Sequence, residues 1–230
     1  MTMTMTTPPT SLILIHGFAS SFEHNWRRSG WVDILADFGC DVPAIDLPGH
    51  GSSIRSSSPD AYEDVEGQLF DMIPRSPAIC AVGFSVGANL LLRMAIAHPD
   101  AFAKIALLGI GDMIFESGDP SRIVQALIGP EEPEDIQARL FRRMASSSGN
   151  DPYALAAFLQ RSQDPLREDQ LSKVKCPVLV VLGDRDMSKS ADRLVAALPS
   201  ATFTSLAGVD HFATTSDFAA IDAVMRFFGF

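Results

Sequence analysis

Ser85 is the side chain around which a chemistry can be built. It stands in Gly83-Phe84-Ser85-Val86-Gly87, after the apolar run Ile79-Cys80-Ala81-Val82 and before the mostly apolar Ala88–Ala97. That order fits a buried strand, a one-residue corner and a buried helix, which lifts a serine hydroxyl above the edge of a sheet. The glycines suit a backbone bent so tightly that side chains beside the corner would strike the neighbouring strand and helix. A helix starting near Val86 turns unsatisfied N–H groups toward the corner, where negative charge is welcome. The pentapeptide alone also fits a glycine-softened turn with a solvated serine; its flanks favour a nucleophile.

A serine hydroxyl is a weak nucleophile until a base takes its proton, and that base needs a third group to orient it. The chain has five histidines. His24 falls in a polar stretch, His50 in a glycine turn that it is expected to hold by hydrogen bonds, and His98 before a proline at a helix end. His16 ends the first expected strand, where it would shape a loop. His211 remains, in Gly208-Val209-Asp210-His211-Phe212, after the last expected strand and so at the same carboxyl edge as Ser85. For the orienting acid, Val180-Val181-Leu182-Gly183-Asp184-Arg185-Asp186 offers two carboxylates after a strand. Asp186 lies farther along the loop and has the better reach to an arriving histidine, which leaves Asp184 as a turn or ion-pair residue. An oxyanion would need two backbone N–H donors. Val86, at the helix start, supplies one, and Phe18, in the glycine-softened loop His16-Gly17-Phe18-Ala19, is the candidate for the other.

The elements that must hold these residues alternate. Strands are expected at Ser11–Ile15, Cys40–Ile45, the run before Ser85, Lys104–Ile110, Pro177–Leu182 and Ala201–Leu206. Helices are expected at Trp31–Phe38, around Asp60–Ile73 (closed by Pro74 and Pro77), after Ser85, at Ala191–Leu198 and at Ile221–Phe228. Such alternation implies an α/β fold, a doubly wound and mostly parallel sheet of about six strands. Residues 111–173 break the rhythm with helical patterns only (Ser121–Ile128, Pro133–Met144 and Tyr153–Arg161). They read as a helical cap over the carboxyl edge, inserted in a core formed by 1–110 and 174–230. Residues 1–10 look like a flexible lead-in.

Composition narrows the function. A chain of 230 residues with 47% hydrophobic and 20% charged residues can bury a full core. The formal net charge of −10 argues against a nucleic-acid partner or an anionic membrane surface. No run approaches a membrane span, and the amino terminus lacks the pattern of a signal peptide. Cys40, Cys80 and Cys176 are scattered, with no zinc-ligand spacing, and fit buried reduced thiols in a cytoplasmic protein. Gly109-Ile110-Gly111 follows a strand, but the third glycine of a dinucleotide fingerprint would fall at Ile114.

His16-Gly17-Phe18, Asp46-Leu47-Pro48-Gly49-His50-Gly51-Ser52-Ser53, Gly83-Phe84-Ser85-Val86-Gly87, Gly183-Asp184-Arg185-Asp186 and Asp210-His211-Phe212 occur in that order. Together they resemble the α/β-hydrolase superfamily, in its capped esterase and lactonase-like branch, over roughly residues 11–230. The resemblance implies Ser85 as nucleophile, His211 as base, Asp186 as acid, Phe18 and Val86 as oxyanion donors, and chemistry without cofactor or metal. It also implies a mostly helical cap bounding an acyl pocket, for which Phe18, Phe115, Phe141, Met144 and Phe158 are the leading lining candidates.

The sequence departs from the family pattern in three places. There is no room for an antiparallel hairpin before the first strand; Met187-Ser188-Lys189-Ser190 replaces a proline often found after the acid; and Asp210 replaces a more usual glycine, where it is expected to face solvent. The expected reaction is hydrolysis of a small, largely apolar carboxylic ester, thioester or lactone, so the partner is a small acyl substrate. Carbon–carbon bond hydrolysis or a lyase step would use the same three residues, and a ligand-sensing module with vestigial turnover is a reading from another class. A serine where a dehalogenase has aspartate disfavours dehalogenation.

Overall fold

A computed structural model of the protein describes residues 8–74, 78–130 and 136–230. The first seven residues of the expected lead-in, Pro77 at the end of the second helix and Pro133 at the start of a cap helix lie outside the described residues.

Four short, mostly apolar runs and a more polar, partly exposed one form one sheet: β1 (Ile13–Ile15), β2 (Ile79–Phe84), β3 (Phe102–Leu108), β4 (Val178–Gly183) and the polar β5 (Ala201–Leu206). They lie side by side in that order, and every pairing is parallel. Strands rich in Val, Ile and Leu suit a sheet covered on both faces. Their alternate side chains build two cores. Ile13, Ile15, Ala81, Ile105 and Val180 face one way, while Leu12, Leu14, Val82, Leu108 and Val181 face the other.

Helices cover both faces. The first core packs against α2 (Val65–Met72), α3 (Val86–Ala97) and α8 (Asp192–Ala197); the second against α1 (Trp31–Asp37) and α9 (Phe218–Phe228). Helix boundaries follow local chemistry. The Asp217 side chain accepts from Ala219 and Ala220 N–H at the start of α9, and Gly229, with φ of 92°, ends it. Asp64 caps α2 in the same way by accepting from Gly67 N–H.

The sixth expected strand is reduced to a single bridge. Among the described residues, Cys40–Ile45 pairs with the sheet only through the parallel bridge of Ser11 and Asp41, where Leu12 N–H donates to Asp41 O and Asp41 N–H to Thr10 O. Pro43 has no N–H with which to carry a ladder further. The chain still turns there: it leaves β1 toward that edge under α1 and returns to β2 on the other side under α2. Such a reversal opens a crevice at the carboxyl ends of the strands flanking it.

Between β3 and β4 the described chain is helical without a strand: α4 (Ser121–Ile128), α5 (Ile136–Ser147), α6 (Pro152–Gln160) and the short α7 (Glu168–Leu171). Pro152 at the first position of α6 and the Asp151 side chain accepting from Tyr153 N–H fix the start of that helix.

Candidate active site

β2 ends at Phe84, α3 begins at Val86, and Ser85 alone makes the corner, with φ of 54° and ψ of −117°. A non-glycine residue at such a φ is strained and is held there by its surroundings. Ser85 N–H donates to Leu108 O at 2.8 Å, which fixes the corner to the end of β3. A Cβ on Gly83 would stand 2.6 Å from Ala88 Cα, and one on Gly87 2.4 Å from the carbonyl oxygens of Ile15 and His16. The two glycines are therefore the contact by which α3 lies directly on β2 and β1.

The loops after β4 and β5 bring two more side chains to this corner. His211 Nε2 lies 2.9 Å from Ser85 Oγ, and His211 Nδ1 lies 2.8 Å from Asp186 Oδ2. With a carboxylate accepting at Nδ1–H, the lone pair of a neutral imidazole is left on Nε2, facing the Ser85 hydroxyl. Asp186 is 3% exposed. Burial alone would raise its pKa, but hydrogen bonds from His211 and from Ser188 N–H, with the imidazole alongside, hold it below the ordinary carboxylate value. The segment from Met187 to Ser190, which lacks the expected proline, wraps the acid instead: Ser188 N–H reaches Asp186 Oδ1 at 2.8 Å and Lys189 N–H its carbonyl at 3.1 Å.

The two loops are also joined to each other. Arg185 N–H donates to Val209 O, Asp184 N–H to Leu206 O, and Gly208 N–H to Asp184 Oδ1 at 2.7 Å. Asp184 is thus the turn residue expected of it. Asp210 is exposed, and its Oδ1 accepts from Ala213 N–H, away from the imidazole.

Opposite them lies the loop His16–Ala19. His16 is fully buried; its Nδ1–H donates to Gly17 O and its Nε2 accepts from Leu47 N–H at 3.0 Å. Burial lowers its pKa to about 4, so it is neutral at neutral pH and its 3.5 Å approach to Asp46 is not an ion pair. Asp46 accepts from Phe22 N–H and Ser52 N–H, each at 2.7 Å, and fastens the loop from the other side. Gly17 N–H is taken by Asn25 Oδ1 at 2.9 Å, from a five-residue π-helical turn, Glu23–Arg27. Ala19 follows at a φ of 57°. Among the described residues, the N–H groups of Phe18 and Val86 have no backbone acceptor. A Cβ on Gly17 would come within 3.4 Å of Ser85 Cβ, so this loop reaches the serine.

The other histidines lie apart from Ser85. His24 sits in the π-helical turn against Ser21, and His98 ends α3 stacked on Phe70 at 4.0 Å. His50 is fully buried and neutral, its Nδ1–H on Pro48 O and its pKa lowered by burial to about 3.

A cavity of about 440 Å³ opens beside Ser85 and His211, walled by Phe18, Leu140, Phe141, Met144, Leu159 and Phe212. Of the five expected lining residues, three reach it. Phe158 does not. It is fully buried beneath Phe18, with His50, Tyr62 and the Arg161 guanidinium around its ring. Phe115 lies off the cavity as well, under the Arg193 guanidinium at 4.6 Å. Asn25, Met187 and Phe212 line the cavity without having been singled out in the sequence, and only their closeness to Gly17, Asp186 and His211 hinted at it. A second cleft leaves Ser85 on its other side, past Asn89, Met113, Ile114 and Gln163.

Among the described residues, no three or more His, Cys, Asp or Glu side chains are grouped to hold a metal ion. No described helix is long and apolar enough to cross a membrane.

A parallel sheet covered on both faces, a strained serine after its second strand and an imidazole on the last loop define a class. The chain belongs to the alpha/beta hydrolase family, whose model matches residues 12–224, and it is a hydrolase. Among curated proteins it is similar to a 2-hydroxy-6-oxononadienedioate/2-hydroxy-6-oxononatrienedioate hydrolase of Paraburkholderia phymatum, 24% identical over 241 residues, which span 88% of this chain and 81% of that protein. It is also similar to a pimeloyl-acyl-carrier-protein methyl ester esterase of Vibrio atlanticus, 26% identical over 204 residues and 76% of each chain. Among solved structures, a bromoperoxidase from Bacillus anthracis shares the fold with a TM-score of 0.72 at 17% identity, over 96% of this chain and 91% of that one.

Proposed function

We propose that this protein hydrolyses a small, largely apolar carboxylic ester, thioester or lactone through an acyl-enzyme on Ser85. The observation that carries the reading is the continuous hydrogen-bonded chain Ser85 Oγ, His211, Asp186 at the mouth of the 440 Å³ apolar cavity. In this reading His211 Nε2 takes the serine proton as Oγ attacks the carbonyl carbon. Asp186 holds the ring in the tautomer that can do so and stabilises the imidazolium. Charge on the carbonyl oxygen is met by the N–H groups of Phe18 and Val86, helped by the positive end of α3. His211 then gives its proton to the leaving oxygen or sulfur and draws one from the water that releases the acid.

Residues 111–173 act as the cap of the site, over a core of 1–110 and 174–230. The apolar walls from α5 and α6 would receive the hydrocarbon part of the substrate. The esterase activity named for the Vibrio relative supports an ester. The free thiols Cys40, Cys80 and Cys176 suit a reducing, cytoplasmic setting.

The test is hydrolysis of p-nitrophenyl butyrate by the wild type and by Ser85→Ala. Loss of the nucleophile should lower kcat by about 10⁴–10⁶; equal rates would remove the reading. A second reading, carbon–carbon bond hydrolysis by the same residues, draws on the dienedioate hydrolase relative. Turnover of a carbon-bonded diketone with negligible ester cleavage would favour it.

A further inference from the structure

The cleft on the other side of Ser85 does not end at Gln163. It shares Val86, Asn89, Met113, Ile114 and Gln163 with a larger hollow of about 500 Å³, whose far wall includes Arg93 and Arg161. A polar line runs along it. Ser85, Asn89 and Arg93 are four residues apart on one face of α3, so Asn89 and Arg93 stand roughly 6 and 12 Å along the axis from the serine. Arg93 leans back toward Ser85, its Nε donating to Asn89 Oδ1 at 2.7 Å. Across the hollow, Arg161 donates to Gln163 Oε1 at 3.1 Å.

Arg161 is only 9% exposed and lies flat on the Phe158 ring, 3.9 Å from its centroid. Its hydrogen bonds go to neutral acceptors, Phe158 O and Gln163 Oε1, and among the described residues no carboxylate forms an ion pair with it. Burial lowers its pKa to about 10, which leaves it charged at neutral pH. Glu66, 3.8 Å from Arg93 Nε, is the inner carboxylate shared by the two guanidinium groups. The acids Glu116, Asp119 and Asp164 also line the hollow, but they are exposed, where water and salt screen them. A cation out of water is normally paired; here two guanidinium groups share one inner carboxylate, and on the cleft side Arg93 Nη2 donates only to the backbone carbonyl of the exposed Asp164.

We propose that this hollow is a subsite for a carboxylate carried by the substrate itself, gripped by Arg161 and Arg93 while the reacting carbonyl sits at Ser85. The proposal rests on Ser85 as nucleophile. Because Arg93 leans back along α3, the gap between carbonyl and carboxylate corresponds to about four to seven single bonds of about 1.5 Å each. The substrate is then a half-ester: an ester at one end, an anion at the other.

The experiment compares kcat/KM for the monomethyl esters of glutarate, adipate, pimelate and suberate with the matching methyl ester amides, which keep shape and lose charge. The acetyl ester of 5-hydroxypentanoate against its amide asks the same of the leaving-group side. One of the two series should show a preference for the anion of tenfold or more, and Arg161→Gln and Arg93→Gln should each reduce that ratio by a similar factor. A ratio near one in both series, or a ratio that neither variant changes, overturns the subsite.

Should a variant fail to fold, adipate as a competitive inhibitor of p-nitrophenyl acetate hydrolysis by the unaltered protein gives the same answer. It should inhibit at least tenfold more strongly than hexanamide. Equal inhibition by inorganic phosphate would overturn the carboxylate assignment. Failure here is distinct from failure of the functional reading: neutral esters cleaved in a Ser85-dependent way with no anion preference sink only the subsite, whereas activity that survives Ser85→Ala sinks both.

Discussion

Replacing Asp186 by asparagine keeps the size of the side chain and removes its charge. In the wild type, Asp186 Oδ2 accepts from His211 Nδ1–H at 2.8 Å and Asp186 Oδ1 from Ser188 N–H at 2.8 Å. The Ser188 bond requires the oxygen of an asparagine, so its amide NH₂ is turned toward His211. That donor favours a bare Nδ1 and moves the imidazole proton to Nε2, where it meets Ser85 Oγ and cannot serve as a base. The charge adds to the loss. Carboxylate and imidazolium centres about 4 Å apart interact by about 4 kcal/mol at an effective dielectric of about 20, and each 1.36 kcal/mol is about tenfold in rate. The electrostatic part is then about 10³, and the wrong tautomer takes the fall in kcat toward about 10⁴, with KM little changed. Steady-state hydrolysis of p-nitrophenyl butyrate measures it. Asp184→Asn and Asp210→Asn are the controls, since Asp184 Oδ1 and Asp210 Oδ1 only accept from Gly208 and Ala213 N–H, as an asparagine oxygen can. Both should stay within about threefold of wild type, in the range of a neutral hydrogen bond. An Asp186→Asn variant within tenfold of wild type, beside an inactive Ser85→Ala, would refute the assignment of the acid.

Three further predictions follow from buried groups and from the cavity. His16 and His50, with pKa values lowered by burial to about 4 and about 3, take up protons on unfolding. Between pH 6.5 and 4 the unfolded chain binds both and the native chain neither, so stability rises with pH there. The slope in urea titrations should be about 3 kcal/mol per pH unit from these two groups, and His50→Phe should reduce it by about half. Gly87→Ala should abolish soluble expression or unfold at far lower urea, because a Cβ there would lie 2.4 Å from two carbonyl oxygens. Met144→Trp fills part of the 440 Å³ cavity and should shorten the longest p-nitrophenyl ester accepted by about two carbons; an unchanged chain-length profile would place the hydrocarbon elsewhere.

Much of the core was legible because buried strands and helices write themselves as apolar runs with punctuation. Ile79 to Gly87 reads as strand, corner and helix, and the structure has those elements there. The order of loops along the chain was enough to bring Ser85, Asp186 and His211 to one edge, since parallel strands place all their carboxyl ends together. What the sequence hid depends on which way a side chain faces. Phe141 in α5 and Phe158 in α6 are both aromatic residues of helices, yet the first meets the cavity and the second is claimed by His50 and Tyr62 from a stretch about a hundred residues earlier. Cys40–Ile45 has the composition of a strand, but Pro43 at a sheet edge leaves it one bridge. Arg161 looked like the end of a helix; only its burial, with Phe158 O and Gln163 Oε1 as its hydrogen-bond partners, makes it notable.

The bonds joining the loops after β4 and β5 have a consequence for how the enzyme would fail. Asp186 and His211 travel together as one stapled unit, while Ser85 belongs to the deep joint between β2, β3 and α3. Between the two run the imidazole–hydroxyl contact, seated against the Phe84 ring at 5.0 Å, and, from the chain after β3, the bond from Asp112 N–H to Ser190 O at 2.8 Å. Warming that breaks these few links and lets the stapled pair swing away would silence the molecule while its sheet is still intact, and cooling would restore it.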